Sequence, residues 1–394
     1  MRQVYLDNNA TTRVAPEVVE AMQPFWSELY ANPSSMHSFG GDLKHHLDHA
    51  REQVAALLGA RPGEIVFTSG GSEGDNLAIR GAVEALAGRK RHIVTTRVEH
   101  PAVREVCHHL QKAGYHLTEL PVDSTGALDL EQLSQAITSD TALVSIMWAN
   151  NETGVIFPIE RIAEIVKARG AVFHTDAVQA AGKLPIDVSK VPVDLLSISG
   201  HKLHAPKGVG ALYVRKGTKL VPLIIGGHQE WGKRAGTENV PSIVGLGKAC
   251  ELAQQFMGEE NQRVRKLRDR LQEGILARCK DTRLNGTNRL PNTLNVSFEY
   301  IEGEAILLLL DEVGISASSG SACASGSLEP SHVMRAMGIP FTLAHGSIRF
   351  SLSRYNSEED VDHVLEHLPR IIDRLREISP FAQGQEWHGT PIPH

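Results

Sequence analysis

The sequence predicts an α/β fold, with a large domain built on a mainly parallel sheet and a smaller α+β domain. Between residues 62 and 215, short runs rich in apolar and β-branched residues alternate with stretches of helical period. Strands and helices that alternate over this length are typical of a mainly parallel sheet covered on both faces. A highly charged helix near residues 258–279 then separates this region from a second set of strands and helices.

The first region should contain six strands, each a short run bounded by turn residues or helical stretches. They are expected at residues 64–68, 92–95, 142–147, 171–175, 195–199 and 210–214. Apolar residues spaced three or four apart at 103–110, and again at 159–166, predict two of the intervening helices. The runs at 171–175 and 195–199 have the apolar character of strands buried in a parallel sheet.

The second region should contain strands at 293–298 and 347–351 and helices at 303–310 and about 357–378. The sequence therefore predicts a large domain over residues 13–257. Residues 1–12 and 258–380 should form the smaller domain, which carries the loop around Cys323. Residues 381–394, rich in Gly, Pro and polar side chains, are expected to form an irregular tail.

Composition narrows the class of protein. A chain of 394 residues is long enough for two or three domains and a large core. Hydrophobic residues make up 41% and charged residues 22%, which argues against a disordered chain and a membrane protein. The net charge of -6, without a long basic run, argues against nucleic acid or an anionic membrane as the main partner. Four cysteines are too few for a disulfide framework and no signal-peptide pattern is visible, so we expect a reducing, cytoplasmic setting.

A glycine-rich stretch at residues 69–76 joins the first predicted strand to a helix. Small residues at a helix N-terminus present free N–H groups and a positive dipole end, which favour a bound phosphate. The stretch matches neither the dinucleotide fingerprint nor the Walker A pattern. An ordinary strand-to-helix turn with a serine cap is the alternative interpretation.

An acid and a lysine follow two of the predicted buried strands. Asp176 comes directly after the strand at 171–175, and Lys202 follows the strand at 195–199. Functional groups in open α/β sheets gather beyond the carboxyl ends of strands. A structural ion pair would explain the two residues, but so would a pyridoxal phosphate site, in which a lysine attacks a carbonyl and an acid holds the ring nitrogen protonated. The glycine-rich stretch upstream favours the cofactor.

The four cysteines divide into two groups. Cys107, Cys250 and Cys279 lie at helical spacing among apolar residues and are expected to be small core residues. Cys323 lies in a run of Ser, Ala and Gly without periodicity, which predicts a loop. A cysteine on such a loop is the candidate for a reactive thiol, with an incidental surface thiol as the alternative.

Residues 363–367 match the H-x-x-E-H pattern of some zinc peptidases. The apolar residues of the same helix form a face of their own, with both histidines off its centre. We therefore expect an ordinary amphipathic helix here rather than a metal site.

Several long motifs resemble the cysteine desulfurases, which are pyridoxal phosphate enzymes of aminotransferase fold type I. They are YLDNNATT, TSGGSEGDN, VEHPAV, ANNETG, HTDAVQ, SGHKLHAPKG, RAGTEN and SSGSACASGSLEPSHVMRA. The resemblance runs from the N-terminus to about residue 380. LDNNATTRVAPEVVEAM, SGHKLHAPKGVG and IEGEAILLLL resemble the NifS type, which supplies sulfur for nitrogenase clusters, more than the housekeeping IscS type. Ala324 stands where many members have Thr.

The resemblance implies roles for the residues around the cofactor ring. Lys202 would hold the cofactor covalently and move the Cα proton. Asp176 would pair with the ring nitrogen, and His100 would stack on the ring as an acid/base group. Asn151 and Gln179 would contact the ring on its oxygen side.

The resemblance also implies how the phosphate and the substrate are held. The phosphate-binding residues would be Gly71, Ser72, Ser199, Gly200 and His201, with Thr237 from a partner subunit. Arg349 would bind the substrate carboxylate, assisted by Asn32. A guanidinium suits this role because it binds a carboxylate bidentately. Cys323 would accept the sulfur as a persulfide, through which it would also be a transient ligand of cluster iron.

The implied reaction removes sulfur from L-cysteine and releases L-alanine, in a homodimer that passes sulfur to an iron–sulfur scaffold protein. Three other activities on the same fold remain open: a housekeeping desulfurase, a selenocysteine lyase and an aminotransferase. A sulfur carrier without turnover is the alternative from a different class.

Overall fold

The computed structural model describes residues 2–86, 88–319 and 329–379. Cys323 and the tail at 381–394 therefore lie outside the described residues. The strands are β1 (Val4–Tyr5), β2 (Ile65–Thr68), β3 (His92–Thr96), β4 (His116–Leu120), β5 (Thr141–Ser145), β6 (Val172–Asp176), β7 (Leu195–Ser199), β8 (Gly210–Val214), β9 (Thr282–Leu284), β10 (Thr293–Phe298), β11 (Ile315–Ser316) and β12 (Ser347–Ser351).

The helices are α1 (Pro16–Met22), α2 (Ser38–Gly41), α3 (Leu43–Leu58), α4 (Gly71–Ala85), α5 (Pro101–Lys112), α6 (Leu130–Ala136), α7 (Ile159–Ala168), α8 (Val240–Arg278), α9 (Gly303–Glu312), α10 (His332–Ala336), α11 (Phe341–Ala344) and α12 (Glu358–Ile378). Short 3-10 turns lie at Gln23–Trp26, Pro62–Glu64, Gly200–Lys202 and Gln229–Gly232.

A sheet of seven strands, in the order β2-β8-β7-β6-β5-β3-β4, forms the centre of the larger part. The pairs from β7 to β4 are parallel, whereas β8 is antiparallel to both of its neighbours. Every residue of β3, β5, β7 and β8 is buried, so both faces of the sheet are covered. The predicted α/β class with a mainly parallel sheet is confirmed.

The sequence did not predict β4, whose residues read HLTEL. This strand pairs with β3 alone and stands at one edge of the sheet. Its residues are mostly half-buried or exposed, so it lacks the apolar run by which its neighbours are recognised. An edge strand of this kind has little signal in a single sequence.

Two smaller sheets lie apart from the central one. β12, β10 and β9 form an antiparallel sheet, and β1 pairs in parallel with β11. A hydrophobic core of their own surrounds these strands; it includes Val4 and Leu6 near the N-terminus and Phe298 and Phe350 from the sheet. The first residues of the chain are thereby packed against elements that follow about residue 264.

The long helix α8 spans both regions. We predicted a charged helix near 258–279 and helical spacing around Cys250, and α8 joins the two: it begins at Val240 and has 39 residues. Its first half buries small residues such as Gly247 and Ala249 in the larger core, and its second half buries Leu271 and Ile275 in the smaller core. The second half is highly charged whereas the first half buries small and apolar residues, so the sequence showed two segments of different character rather than one helix. Within the described ranges, neither α8 nor any other helix is long and apolar enough to cross a membrane.

Two glycines of α8 provide a test of how closely it packs on α3. A Cβ added at Gly247 would lie 2.6 Å from the Cα of Ala50 on α3, whereas at Gly258 nothing lies within 4 Å. Gly247→Ala should therefore lower the free energy of unfolding by about 1–3 kcal/mol, since the helix backbones must move apart. Gly258→Ala should raise it by about 0.5–1 kcal/mol, since alanine is the better helix former. Urea unfolding of the two variants measures both values, and equal effects would contradict the close packing.

Candidate active site

The carboxyl ends of β6 and β7 and the start of α4 border one cavity of about 320 Å³. Most of the residues predicted to form a cofactor site line it. They are Gly71, Ser72, His100, Asn151, Asp176, Gln179, Ser199, His201, Lys202 and Arg349. Met147, Ala149 and Val178 add apolar surface. The expected gathering of functional groups beyond the strand ends is therefore what the fold produces.

One end of the cavity is built for an anion. Gly71 and Ser72 form the first turn of α4, whose N-terminus presents backbone N–H groups and a positive dipole end. A Cβ at Gly71 would lie 2.8 Å from Cγ2 of Val178, so the glycine keeps this corner open. Ser199 and His201 line the same corner, which continues into a second cavity beside Lys207. A phosphate group fits the chemistry of these donors.

Gly200 contributes to this corner by close packing. It does not line the cavity, but its N–H donates to the carbonyl of Val209 at 2.9 Å. A Cβ at this position would lie 2.9 Å from Cγ1 of Val209. The glycine thus allows the turn that carries Lys202 to pack directly against the neighbouring chain.

Lys202 is held by the N-terminal segment. Its ammonium donates to the carbonyl oxygens of Asn9 at 2.5 Å and Ala10 at 2.7 Å. The side-chain amide of Gln179 donates to the same Asn9 oxygen at 2.9 Å, and the Oε1 of Gln179 has no partner among the described residues. An unpartnered, buried amide oxygen on the cavity wall fits a bound molecule that supplies a donor.

Three buried carboxyl groups, those of Asp176, Asp75 and Glu99, lie close enough together at the cavity to affect one another's pKa. Burial, and then the neighbouring Asp75, raise the pKa of Asp176 to about 7, against an opposing effect of His100. Burial also raises the pKa of Asp75 to about 7 and that of Glu99 to about 8. Only Asp176 and Asp75 line the cavity. A buried acid that holds its proton near neutral pH is suited to share that proton with a ring nitrogen.

The histidines of the site are neutral for the same physical reason. Burial lowers the pKa of His100, and burial followed by the nearby Lys202 lowers that of His201 to about 4. The Nδ1 atom of His100 accepts the N–H of Ala102 at 3.1 Å, so the ring proton lies on Nε2. His100 can therefore donate a hydrogen bond into the cavity.

Arg349 reaches the cavity from β12. Its Nη1 donates to the carbonyl of Asn151 at 2.9 Å, and its Nη2 donates to Oδ1 of Asp7 at 2.7 Å. The Nε–H is buried and has no partner among the described residues. A guanidinium with a donor left over on the wall of a cavity is suited to bind a carboxylate. The sequence analysis missed Asp7 and Asn9, although both belong to the YLDNNATT motif.

Two predicted residues lie away from this cavity. Asn32 is exposed, and its Oδ1 accepts the N–H of Ser34 at 2.9 Å. Thr237 lines a different cavity together with Ser69 and Gly208, which themselves border the phosphate corner. Within one chain, neither residue joins the others.

The described residues on both sides of 320–328 are tied to the site. The backbones of Ser318 and Arg349 exchange two hydrogen bonds, of 3.2 Å and 2.6 Å. On the other side, Ser331 donates to the buried carboxylate of Glu152, and His332 Nε2 lies 3.0 Å from the carbonyl oxygen of Glu99. Cys323 is thus joined in sequence to two anchors beside the cavity.

The other three cysteines are buried, as expected. Cys107 and Cys250 are fully buried, and Cys279 is 2% exposed. Burial raises the pKa of each thiol, to about 12 for Cys250 and about 11 for Cys279. A thiol whose pKa is raised this far is a poor nucleophile near neutral pH.

The H-x-x-E-H residues do bring their side chains together. The ligand atoms of His363, Glu366 and His367 all lie within 4.8 Å of one another. His363 Nε2 is 2.9 Å from the carbonyl oxygen of Val313, with which it makes a hydrogen bond. Packing of a partly exposed helix thus accounts for at least one of the two histidines.

Comparisons with known proteins agree with the motifs. The family model of class-V aminotransferases matches residues 4–364. A protein named cysteine desulfurase from Nostoc sp. is 61% identical over 98% of this chain and 96% of its own length. One named cysteine desulfurase NifS, from Azotobacter vinelandii, is 58% identical over 98% of this chain and 96% of its own length.

Solved structures give the same result. A NifS-like protein superposes with a TM-score of 0.90 at 43% identity and covers 95% of this chain and 100% of its own. A structure described as SspA in complex with cysteine superposes with a TM-score of 0.80 at 39% identity, over 90% of this chain and 100% of its own.

The raised pKa of Glu99 predicts how stability changes with pH. Between about pH 4.5 and pH 8 the carboxyl group of Glu99 is protonated in the folded protein and ionised in the unfolded chain. Because only the unfolded chain ionises in this range, Glu99 makes the free energy of unfolding fall as the pH rises. Glu99→Gln cannot ionise. From pH 5 to pH 8, the free energy of unfolding of the variant should therefore rise by more than about 1 kcal/mol relative to that of the original protein.

Urea unfolding at four pH values between 5 and 8 measures this difference. Glu84→Gln is the matched control, because Glu84 is a half-exposed residue of α4 with a distant ion pair to Arg80. Its curve should run parallel to that of the original protein. A Glu99→Gln curve that also runs parallel would contradict a buried, protonated Glu99.

Proposed function

This chain belongs to the cysteine desulfurases of the class-V aminotransferase family, and we propose that it takes sulfur from L-cysteine onto Cys323 and releases L-alanine. The observation that carries the proposal is the single cavity that combines a phosphate corner, a buried acid, Lys202 and Arg349. Enzymes of this family use pyridoxal phosphate, and the unpartnered Gln179 oxygen and the open corner at Gly71 fit that group.

The cavity residues would hold the cofactor at both ends. Gly71, Ser72, Ser199 and His201 would bind the phosphate, and Asp176 would hold a proton at the ring nitrogen. Lys202 would attach the cofactor and then carry the Cα proton of the substrate. When bound, the cofactor supplies an electron sink for the pair left behind as that proton departs.

Arg349 and His100 would orient the substrate. The free Nε–H of Arg349, with a neighbouring N–H of the same fork, matches the two oxygens of an α-carboxylate. His100 would donate a hydrogen bond from Nε2. Fixing the carboxylate also fixes the Cα–H bond relative to Lys202, which is how positioning contributes to the rate.

Sulfur transfer would use the Cys323 thiolate. It attacks the sulfur of the substrate, so that a sulfur–sulfur bond forms and the Cβ–S bond breaks. The electron pair stays with Cβ, which then takes a proton and becomes the methyl group of L-alanine. The product is a persulfide on Cys323, ready for transfer to an acceptor.

Chain length supports the reach of Cys323. Cys323 is five positions after Ser318, whose backbone is hydrogen-bonded to that of Arg349. Five extended residues span at most roughly 18 Å. The thiol therefore starts from an anchor at the carboxylate-binding end of the cavity. The other three cysteines are buried, with pKa values raised by burial, and make poor alternatives.

The proposed biological role is the supply of sulfur for iron–sulfur clusters, as in the NifS type, in a reducing compartment such as the cytoplasm. The motifs near residues 6–22 and the 58% identity with the NifS relative support this assignment. A scaffold protein is the proposed sulfur acceptor, and nitrogenase maturation is the proposed use. Cys323 would meet cluster iron only through its persulfide.

The proposed assembly is a homodimer with shared sites. Thr237 does not line the cavity of its own chain but lies beyond Ser69 and Gly208, near the open side of the phosphate corner. A partner subunit that packs there would place its own Thr237 beside the phosphate.

The test of the proposed function follows the sulfur. After incubation with L-cysteine, the original protein should gain one sulfur atom, mapped by mass spectrometry to the peptide with Cys323 and removed by dithiothreitol. Cys323→Ala should still bind the cofactor and respond to L-cysteine in its absorbance spectrum, yet form no persulfide and no L-alanine above background. Lys202→Ala should form neither L-alanine nor persulfide, because the group that carries the Cα proton is missing.

Cys279→Ala is the matched control, since Cys279 is buried in the smaller core. It should form the persulfide normally. Sulfur found on Cys279, or normal desulfuration by Cys323→Ala, would refute the proposal. Turnover of selenocysteine alone by Cys323→Ala would favour the lyase, and a requirement for a keto acid would favour the aminotransferase.

The shared site predicts complementation between two defective chains. Thr237→Ala should raise the dissociation constant of pyridoxal phosphate by about tenfold or more, the effect of losing one hydrogen bond to a charged group. Mixed dimers of Thr237→Ala with Lys202→Ala should regain one site of normal affinity, because the Lys202→Ala chain supplies an intact Thr237. An active monomer in sedimentation, or no recovery in mixed dimers, would contradict the shared site.

A further inference from the structure

The ion pair between Asp7 and Arg349 is placed directly behind the proposed carboxylate site. Oδ1 of Asp7 lies 2.7 Å from Nη2 of Arg349, whose side chain is 3% exposed. Arg349 lines the cavity, whereas Asp7 does not. The carboxylate of Asp7, whose side chain is 20% exposed, therefore contacts the guanidinium outside the cavity wall, and a substrate carboxylate would approach the same cation from the cavity.

The backbone of Asp7 is fixed. Asp7 forms an isolated parallel bridge with Ser351 at the end of β12, and the N–H of the next residue donates to the Ser351 carbonyl at 3.2 Å. The hydroxyl of Tyr5 donates to the Asp7 carbonyl at 3.1 Å. Because Arg349 is two residues before Ser351 on the same strand, acid and guanidinium are held on one rigid element.

The hydrogen bonds of Arg349 show which donors remain. A guanidinium has five N–H donors. Asp7 takes one on Nη2 and the carbonyl of Asn151 takes one on Nη1, while the buried Nε–H has no partner among the described residues. The two fixed bonds set the plane of the guanidinium, and the Nε edge is left for a ligand.

We propose that Asp7 is a positioning residue that orients Arg349 and, as its resident counter-ion, limits how tightly the site holds the α-carboxylate of substrate and product. The inference rests on the proposed function, in which Arg349 binds that carboxylate. L-cysteine and L-alanine share their amino and carboxylate groups. An Arg349 without a counter-ion would thus bind the carboxylate of both more tightly, and the product would be released more slowly.

Charge balance explains how Asp7 would act with and without a bound ligand. With no ligand bound, Asp7 leaves the buried cation paired, which avoids the cost of an isolated buried charge. With a ligand bound, two carboxylates share one cation and repel each other across it. Removing the charge of Asp7 should therefore strengthen the grip on any ligand that has a carboxylate and leave other ligands unaffected.

The experiment measures ligand affinity in the holoenzyme through the absorbance of the cofactor. In Asp7→Asn, which keeps an acceptor oxygen for Nη2 but loses the charge, the dissociation constant of L-alanine should fall roughly fivefold or more. The affinity for ethylamine, which has the amine but no carboxylate, should stay unchanged. KM for L-cysteine should fall in the same variant, with kcat unchanged or lower, because product release becomes slower.

Asp187→Asn is the matched control, since Asp187 pairs with Lys190 at 2.8 Å on the surface. It should bind both ligands as the original protein does. Should Asp7→Asn fail to fold, Asp7→Ser is the second neutral variant with the same expected result. Asp7→Glu, which keeps the charge, should restore the weaker affinity for L-alanine.

Arg349→Ala tests the carboxylate site at Arg349 independently of the role of Asp7. A loss of L-alanine affinity of about tenfold or more in that variant supports Arg349 as the carboxylate site. If L-alanine affinity is then unchanged or weaker in Asp7→Asn, the role of Asp7 is overturned while the proposed function stands. If Arg349→Ala binds L-alanine normally, the carboxylate assignment itself fails.

Discussion

The hydrogen bonds of the N-terminal segment, residues 7–12, hold the two halves of the site together. The carbonyl of Asn9 accepts from both Lys202 and Gln179 on the side of the central sheet. Its side chain bonds to Asn292 and Thr293 on the side of the smaller sheet. Because the lysine and the arginine come from different cores, their relative position depends on this short stretch of chain. A few backbone carbonyls of this segment thus help to fix the distance between Lys202 and Arg349 across the cavity.

Burial sets the charge state of the groups around the cavity. It raises the pKa of the three acids, Asp75, Asp176 and Glu99, and lowers that of His100 and His201, so that burial disfavours the charged form of each group. His174, whose pKa burial lowers to about 4, lies between Ser145 and Ser197 and makes a hydrogen bond with the hydroxyl of each. Lys202 is held by two backbone carbonyls, whereas Arg349 is held by one backbone carbonyl and the carboxylate of Asp7. Such fixed dipoles act strongly in a site from which water is excluded.

Sequence reasoning succeeded where a side chain carries its own signal. The strands at 195–199, 210–214, 293–298 and 347–351 have the predicted bounds, and ten predicted site residues line one cavity. It failed where a residue acts through its backbone, or where its role depends on a strand that is distant in sequence. The contacts of Asn9 with Lys202 use a carbonyl, which every residue has, and Asp7 is recognisable only once β12 is seen beside it. The domain boundaries and the role of Asn32 stay predictions.

The placement of the cysteines follows from two incompatible demands on a sulfur-transfer site. The groups that activate the substrate must be rigid and buried, because orientation and a dry environment give them their strength. A thiol that takes sulfur from this site and gives it to another protein needs the opposite, since a buried thiol neither ionises readily nor meets an acceptor. Residues 318 and 331 are fixed to Arg349 and Glu152, so the short stretch between them is anchored at the site on both sides. A sulfur-accepting thiol at Cys323, as proposed, would be tethered to the site through these two anchors by the covalent length of the chain.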